Sequence, residues 1–475
     1  TLLSTSYYRT SKITVRKNWT LVDQVVNSEM TSPLEREIAS YSTANRISED
    51  LHKKANKFMP GGDTRNSIYW DPFPVYITSG EGTTLIDADG NKRTDFVNNM
   101  TTLILGHRPP EVTSALASQI DKGLSFPAPS PSVVRWAELM CERVPSLDKV
   151  RFVNTGTEAT LNAIRAARAF TGKQKLVKCE GAYHGNHDAI QISVVPPLDE
   201  AGDAESPESV AAFPGISDTA VDDIFITPFN NIGAAEKIIR KHADELAAVI
   251  VEPVNGQCGM VPAKPEFLEG LRRITDDLGI VLIFDEVIAF RIAYGGAQDY
   301  YNVKPDLTCF GKVVGGGMPV GAFGGRDDIM SLWDPSDGGS VVQHAGTFNG
   351  NPMTAVAGVA TLESLTPDKY EYLERLGDML RSKLRTLFAE LEVPMSVTGV
   401  ASLFALQFTP TEVIDYRTYA TNNKEMLQTM FIGLLNEGFL MSNRCAGNVS
   451  TVHTEDDVDA FVSAVKNVLR RSGYA

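Results

Sequence analysis

The segments IVLIFDEV (280–287) and LTCFGKVVGGGMPVGAFGG (307–325) each contain a short apolar run that ends near a charged residue. Asp285 and Lys312 lie at these ends, where α/β sheets present their functional side chains. Burying an unpaired carboxylate is costly, so Asp285 requires a cationic partner. The two segments therefore predict buried strands of an α/β sheet with a polar site at their ends.

Short apolar segments of the same kind recur between about residues 108 and 360, with helical patterns between them. The alternation predicts an α/β fold with a mostly parallel central sheet between helices. Glu252 ends one of these segments. It could line the site or pair with a neighbouring arginine, and the structural ion pair is the favoured interpretation. The other predicted strands are VRFVN (150–154), KLVKCE (175–180), IFITPF (224–229) and AAVIVEP (247–253).

The pattern changes near residues 100 and 365, which predicts three parts. Residues 1–100 would contain a leader, a helix over 35–58 and a hairpin with its turn at 89–91. Residues 101–365 would form the large domain, and residues 366–475 a smaller α+β domain. Within the large domain, the acidic segment 198–222 is predicted to be a solvated surface insertion.

Composition excludes several classes of partner. The formal net charge of −15 disfavours nucleic acid and anionic membranes, because both would be repelled. No apolar run approaches the roughly 18 residues that a membrane helix requires, and five scattered cysteines without CxxC spacing predict no metal site. Residues 1–20 are basic. A surface extension on a cytoplasmic protein is favoured there, with an organellar leader as the alternative.

Lys312 and Asp285 together indicate a cofactor site. A lysine forms a Schiff base with the aldehyde of pyridoxal phosphate, and a buried carboxylate keeps the pyridine nitrogen protonated. The glycines at 315–317 let backbone and cofactor come close, which a surface lysine would not need. A buried Asp–Lys salt bridge is the structural alternative. The cofactor interpretation predicts an enzyme whose reaction begins with an amine.

Three further segments could complete this site. Gly156 and Thr157 join a strand to a helix, where backbone N–H groups and the helix dipole favour a phosphate. Thr347 stands before a second helix start of the same kind. Tyr183, beside glycines, could stack on a planar ring, and Val287 could pack against it. Taken singly, these features could also be helix caps or a loop aromatic that fills the core.

Six ordered motifs resemble the class III (subgroup II) aminotransferases of fold type I, which depend on pyridoxal phosphate. The resemblance covers residues 50–470 and implies that Lys312 forms the Schiff base and that Asp285 contacts the pyridine nitrogen. It also implies that Gly156 and Thr157 bind phosphate, that Tyr183 stacks on the ring, and that Thr347 binds phosphate across the boundary of a homodimer. The motifs are NTGTEA (154–159), GAYHG (181–185), VEP (251–253), FDEV (284–287), GKVVGGGMPVGAFGG (311–325) and GTFNGNP (346–352).

Different parts of the chain resemble two different branches of that family. Residues 295–325 are similar to glutamate-1-semialdehyde 2,1-aminomutase, whereas residues 58–82 and 434–454 look more like the β-amino acid (β-phenylalanine) aminotransferases. In the second branch, arginines matching Arg65 and Arg444 bind the carboxylates of the amino donor and of the 2-oxo acid. A bidentate guanidinium suits both tasks. Either arginine alone could equally be a surface residue.

The sequence therefore predicts an aminotransferase that moves an amino group from a β-amino acid or a related amino donor to a 2-oxo acid by a ping-pong mechanism. An aminomutase or racemase, a decarboxylase and a non-enzymatic binding protein remain alternatives. The segment VIAFRIAYGG (287–296) departs from the aminomutase pattern. The acidic segment 198–222 is longer than the β-amino acid branch leads us to expect.

Overall fold

The computed structural model describes residues 32–336 and 339–475; the predicted leader at 1–20 lies outside these residues. The chain begins with helices α1 (Pro33–Ala44) and α2 (Arg46–Ala55). The predicted helix over 35–58 is thus divided at Asn45, whose side chain donates to the carbonyl of Tyr41 and accepts from Arg93. Strands β1 (Ile77–Glu81), β2 (Thr84–Asp87) and β3 (Lys92–Asp95) follow, and β2 and β3 form a hairpin around 89–91.

The middle of the chain alternates helices and strands. In chain order, these elements are α3 (Pro110–Ile120), α4 (Pro131–Arg143), β4 (Lys149–Val153), α5 (Gly156–Thr171), β5 (Lys175–Cys179), α6 (Asp218–Asp222), β6 (Ile224–Thr227), α7 (Ile232–Lys241), β7 (Leu246–Val251), β8 (Val254–Asn255), β9 (Val261–Pro262), α8 (Pro265–Leu278), β10 (Val281–Asp285), α9 (Ala297–Tyr300), β11 (Leu307–Gly311), β12 (Gly321–Gly325) and α10 (Asp327–Met330).

Within the described residues, seven of these strands form the central sheet, in the order β4-β12-β11-β10-β7-β5-β6. β12 runs antiparallel to both its neighbours, and the other pairs are parallel. Alternate residues of β10 enter two different buried clusters, Leu282 and Phe284 on one face and Val281 and Ile283 on the other. Both faces are therefore covered, and the prediction of an α/β fold with a mostly parallel sheet between helices is confirmed.

The last part of the chain pairs with a strand from the first part. Its elements are α11 (Pro352–Ser364), α12 (Pro367–Glu390), β13 (Ser396–Thr398), β14 (Leu403–Gln407), α13 (Tyr416–Tyr419), α14 (Lys424–Asn436), β15 (Phe439–Leu440), β16 (Ala446–Asn448) and α15 (Glu455–Arg471). Strands β13, β14 and β16 form a small antiparallel sheet, whereas β15 pairs in parallel with β3. The first and last parts thus share a sheet. The boundaries at residues 100 and 365 stay predictions.

The acidic segment 198–222 is held to the rest of the chain by Arg417. This guanidinium donates to the carbonyls of Ala201, Gly202 and Asp203, and it also forms an ion pair with Glu180. Most side chains between 198 and 217 are exposed, as the composition predicted. The segment is therefore a solvent-exposed insertion that Arg417 anchors at residues 201–203.

Candidate active site

Asp285 and Lys312 meet because their strands are parallel neighbours. Asp285 is the last residue of β10 and pairs with Cys309 of β11, and Lys312 follows the end of β11. The backbone of Lys312 has a positive φ of 51° directly after Gly311. Both side chains therefore reach the same edge of the sheet, as the sequence predicted.

A cavity of about 210 Å³ lies at this edge. Six predicted residues line it together, since strand ends and the start of α5 converge there. They are Gly156, Thr157, Tyr183, Asp285, Val287 and Lys312. The arrangement is consistent with one shared site, although the individual roles of these residues stay predictions.

Asp285 is held from two sides. Its Oδ2 lies 2.9 Å from Nδ1 of His184, and its Oδ1 accepts from the backbone N–H of Val287 at 3.1 Å. Burial lowers the pKa of His184, although its contact with Asp285 opposes that effect. The lowered pKa favours the neutral ring, and a neutral ring protonated at Nδ1 would donate to this carboxylate. The sequence indicated only a structural hydrogen-bonding role for His184, and this contact fits that role.

Burial also lowers the pKa of the Lys312 amine, and the charges of Asp285 and Glu252 partly oppose the decrease. A lysine with a lowered pKa has a larger neutral fraction at a given pH, and the neutral amine is the form that attacks a carbonyl or accepts a proton. Lys312 is thus placed in an environment suited to a nucleophile.

Glu252 is a buried carboxylate that lines the smaller cavity, which was the less favoured of its two predicted interpretations. The predicted ion pair with an arginine is wrong: the carboxylate accepts from the backbone N–H groups of Tyr183 at 2.9 Å and Gly256 at 3.3 Å. Burial and the charge of Asp285 raise the pKa of Glu252 to about 8. Its position at the end of a predicted strand was the available signal in the sequence.

The start of α5 forms the edge of the smaller cavity that was predicted to bind phosphate. Thr155 caps the helix by accepting from the N–H of Glu158, and the first N–H groups of a helix have no intrahelical partner. A Cβ on Gly156 would lie 3.1 Å from the Val287 side chain, so the missing side chain lets Val287 approach. Thr157 accepts from the N–H of Asn186 through its hydroxyl, which fixes the loop after Tyr183 against this helix start.

A second cavity of about 710 Å³ adjoins the first and shares Tyr183, Glu252, Ile288 and Lys312 with it. Arg65 and Arg444 both line this larger cavity. Arg65 donates from Nη1 to the side-chain oxygen of Asn99 at 3.1 Å, and Arg444 donates to the side-chain oxygen of Gln257. The apolar residues that line the larger cavity include Val97, Met100, Met260 and Ile288. Both predicted arginines thus face a space that opens onto Lys312.

Thr347 is the predicted site residue that these cavities do not include. It is exposed, and it lies among exposed residues at 345–348. A contribution to the site of a second subunit would place it outside its own chain's cavities, so its predicted role is untested.

The residues of the smaller cavity fit pyridoxal phosphate. A lysine amine, a buried carboxylate and a helix start with free N–H groups line one space, and these are the groups that the aldehyde, the ring nitrogen and the phosphate require. Among residues 32–336 and 339–475, no three acidic, histidine or cysteine side chains are grouped to hold a metal ion. Nor does any helix in these ranges have the length and apolarity to cross a membrane.

The sequence model of the aminotransferase class-III family matches residues 68–457. The chain belongs to the class-III aminotransferases. It is 40% identical over 425 residues to glutamate-1-semialdehyde 2,1-aminomutase 1 of Staphylococcus epidermidis, which covers 88% of this chain and 97% of that protein.

Two solved structures of relatives are also similar. An ω-transaminase from Sphaerobacter thermophilus superposes with a TM-score of 0.87 and 41% identity, covering 90% of this chain and 98% of the other. A β-phenylalanine aminotransferase from Variovorax paradoxus gives a TM-score of 0.84 and 35% identity, covering 93% of this chain and 97% of the other. This class-III aminotransferase is therefore an enzyme of fold type I that uses pyridoxal phosphate.

Proposed function

We propose that this chain transfers the amino group of a β-amino acid to a 2-oxo acid in a ping-pong cycle. The observation that carries the proposal is that Arg65 and Arg444 line one cavity that opens onto Lys312. Each guanidinium can hold a carboxylate by two parallel hydrogen bonds. Two half-reactions that share one site each present a carboxylic acid, so two arginines suit the two substrates.

The apolar part of the same cavity suits the donor's side chain. Val97, Met100, Met260 and Ile288 form its wall, and flexible methionines adapt to an aromatic or aliphatic group. A carboxylate on Arg65 and a side chain on this wall would leave the donor amine directed at Lys312. The likeness to the β-phenylalanine aminotransferase supports this donor class.

The residues of the smaller cavity would divide the chemistry among them. Pyridoxal phosphate supplies an electron sink that stabilises negative charge on the donor's carbon. Lys312 would hold the aldehyde and, when displaced by the substrate amine, would remove and return the proton as base and acid. Asp285 would face the ring nitrogen with His184 fixing its carboxylate, and the start of α5 with Gly156 and Thr157 would hold the phosphate.

We further propose that the enzyme is a homodimer with shared sites. Leu124, Phe126, Val341 and Phe348 are exposed in this chain, at 60%, 43%, 74% and 59%. The segments of Leu124 and Phe348 are adjacent, since the side chain of Asn351 donates to the carbonyl of Leu124 at 3.1 Å. A cluster of exposed apolar side chains favours an interface, and an interface there would bring Thr347 of each chain towards the other chain.

An aminomutase is the second candidate. It is favoured by the 40% identity to glutamate-1-semialdehyde 2,1-aminomutase over most of the chain. The two functions differ in their need for an acceptor. An aminomutase turns over many times without a 2-oxo acid, whereas a transaminase stops after about one equivalent per site.

The test is a panel of α-, β- and ω-amino donors with 2-oxoglutarate, with pyruvate or with no acceptor. We expect β-phenylalanine and related β-amino acids to give the highest kcat/KM, and only when an acceptor is present. Sustained isomerisation of glutamate 1-semialdehyde without an acceptor would replace the transaminase assignment with the aminomutase.

The same assay tests the role of Arg444. Arg444→Ala should lower kcat/KM for 2-oxoglutarate by more than about tenfold, because it removes a charged bidentate contact. A small aldehyde acceptor without a carboxylate should lose much less. Equal losses for both acceptors would contradict this role for Arg444.

A further inference from the structure

Four consecutive residues at the edge of the larger cavity have left-handed backbone. Asn98, Asn99, Met100 and Thr101 have φ angles of 46°, 48°, 54° and 74°. This conformation is unfavourable for residues that carry a Cβ, and asparagine tolerates it better than most. A run of four such residues requires support from the surrounding structure, and such strain concentrates at functional sites.

The support comes from both ends of this left-handed turn (98–101). Asp95 accepts from the N–H groups of Val97 at 2.8 Å and Asn98 at 2.9 Å through one carboxylate oxygen. At the other end, the fully buried guanidinium of Arg291 donates to the carbonyl of Thr101 at 2.8 Å. The neighbouring structure therefore fixes the turn in its strained form.

Two residues of the turn face the larger cavity, and a third contacts Arg65. Met100 and Thr101 line that cavity, and the side-chain oxygen of Asn99 accepts from Nη1 of Arg65 at 3.1 Å. In the described ranges no carboxylate forms an ion pair with Arg65. An amide oxygen can fix the direction of a guanidinium without neutralising it, which leaves the positive charge for an incoming carboxylate. Arg444 is held in the same way by the amide of Gln257.

We propose that Asn99 is the positioning residue that orients Arg65 toward the carboxylate of the amino donor. The proposal rests on the proposed carboxylate-binding role of Arg65. The strained turn places the Asn99 amide against Nη1 of Arg65, which leaves the Nε and Nη2 N–H groups for the substrate carboxylate. Asn99 acts through Arg65 and does not itself need to touch the donor.

Binding of an unreactive carboxylate measures this directly. The probe is 3-phenylpropanoate, which has no amine to react, titrated into the cofactor-loaded enzyme by calorimetry. We expect Arg65→Ala to weaken binding by more than about tenfold and Asn99→Gly to weaken it by roughly three- to tenfold. Glycine keeps the positive φ, so the turn remains. In the double variant, Asn99→Gly should add nothing to the loss caused by Arg65→Ala.

Asn99→Asp provides a second variant of nearly the same shape. Its carboxylate would pair with Arg65 and compete with the ligand, so we expect a loss at least as large as with Asn99→Gly. The uncharged 3-phenylpropanamide should bind the wild type and all four variants with similar affinity. Unchanged 3-phenylpropanoate binding in Arg65→Ala would refute the proposed role of Arg65. Weak binding in Arg65→Ala with wild-type binding in both Asn99 variants would instead overturn the positioning role of Asn99.

Discussion

At the scale of single residues, the site places two carboxylates and a lysine in one small cavity. The carboxylates of Asp285 and Glu252 both influence Lys312, and Glu252 has a pKa raised to about 8 by burial and by Asp285. A carboxyl group whose pKa is higher in the folded state than in the unfolded chain binds its proton more tightly when folded. Its contribution to stability is therefore complete at low pH and is lost as pH rises through 8.

Glu252→Gln tests this in the cofactor-free protein, because a bound cofactor would change the charges around Glu252. We expect the wild-type free energy of unfolding to fall more steeply than that of the variant between about pH 5 and pH 9. The two proteins should have similar stability near pH 5, where Glu252 is neutral like glutamine. Urea denaturation at each pH is the measurement. Parallel stability curves across this range would show that Glu252 does not titrate as its buried position predicts.

The sequence could predict which side chains lie together where each one follows directly from its position at the end of a strand. Asp285 and Lys312 could be placed together because both end strands of a parallel sheet. The sequence could not decide between the two interpretations of Glu252, because a carboxylate at a strand end looks the same in sequence whether it pairs with an arginine or accepts backbone N–H groups in the site. That choice depends on the loop of Tyr183, which is 69 residues away in the chain.

At the scale of elements, the predicted strands were those with apolar, β-branched runs, and β12 was missed. Its sequence, GAFGG, has low β propensity. Its glycines are nevertheless required by packing. A Cβ on Gly321 would lie 1.9 Å from the carbonyl oxygen of Thr155, which caps α5. Close approach of β12 to the start of α5 is a three-dimensional constraint, so local propensity could not reveal it.

Gly321→Ala should therefore disturb both the sheet and the predicted phosphate-binding edge. We expect the free energy of unfolding to fall by about 1–3 kcal/mol, the usual cost of overpacking, and affinity for pyridoxal phosphate to fall with it. Gly233→Ala is the matched control, since a Cβ there would meet its nearest neighbour at 3.7 Å near the start of α7. The control should be neutral or slightly stabilised. Equal behaviour of the two variants in denaturation and cofactor titration would contradict the packing argument.

At the scale of the whole molecule, strands from the beginning and the end of the chain pair in a way that local sequence patterns do not predict. The two-residue strand β15 joins β3, so the beginning and the end of the chain share one sheet. A strand of two residues is too short to show the alternation of apolar and polar residues that indicates a strand. Its partner also lies more than three hundred residues away in the chain. The central sheet was predictable in type because helices and strands alternate, whereas its strand order depends on long-range packing.

The proposed homodimer provides the test of Thr347, which lies outside the two cavities of its own chain. If each site combines Lys312 from one subunit with Thr347 from the other, then Lys312→Ala and Thr347→Ala homodimers both lack complete sites. A heterodimer of the two variants would regain one complete site. We expect the purified heterodimer, isolated with two affinity tags, to show about half the wild-type activity, well above either parent. A heterodimer no more active than its parents would place Thr347 outside the shared site, because the intact residues of the two chains would then fail to complement each other.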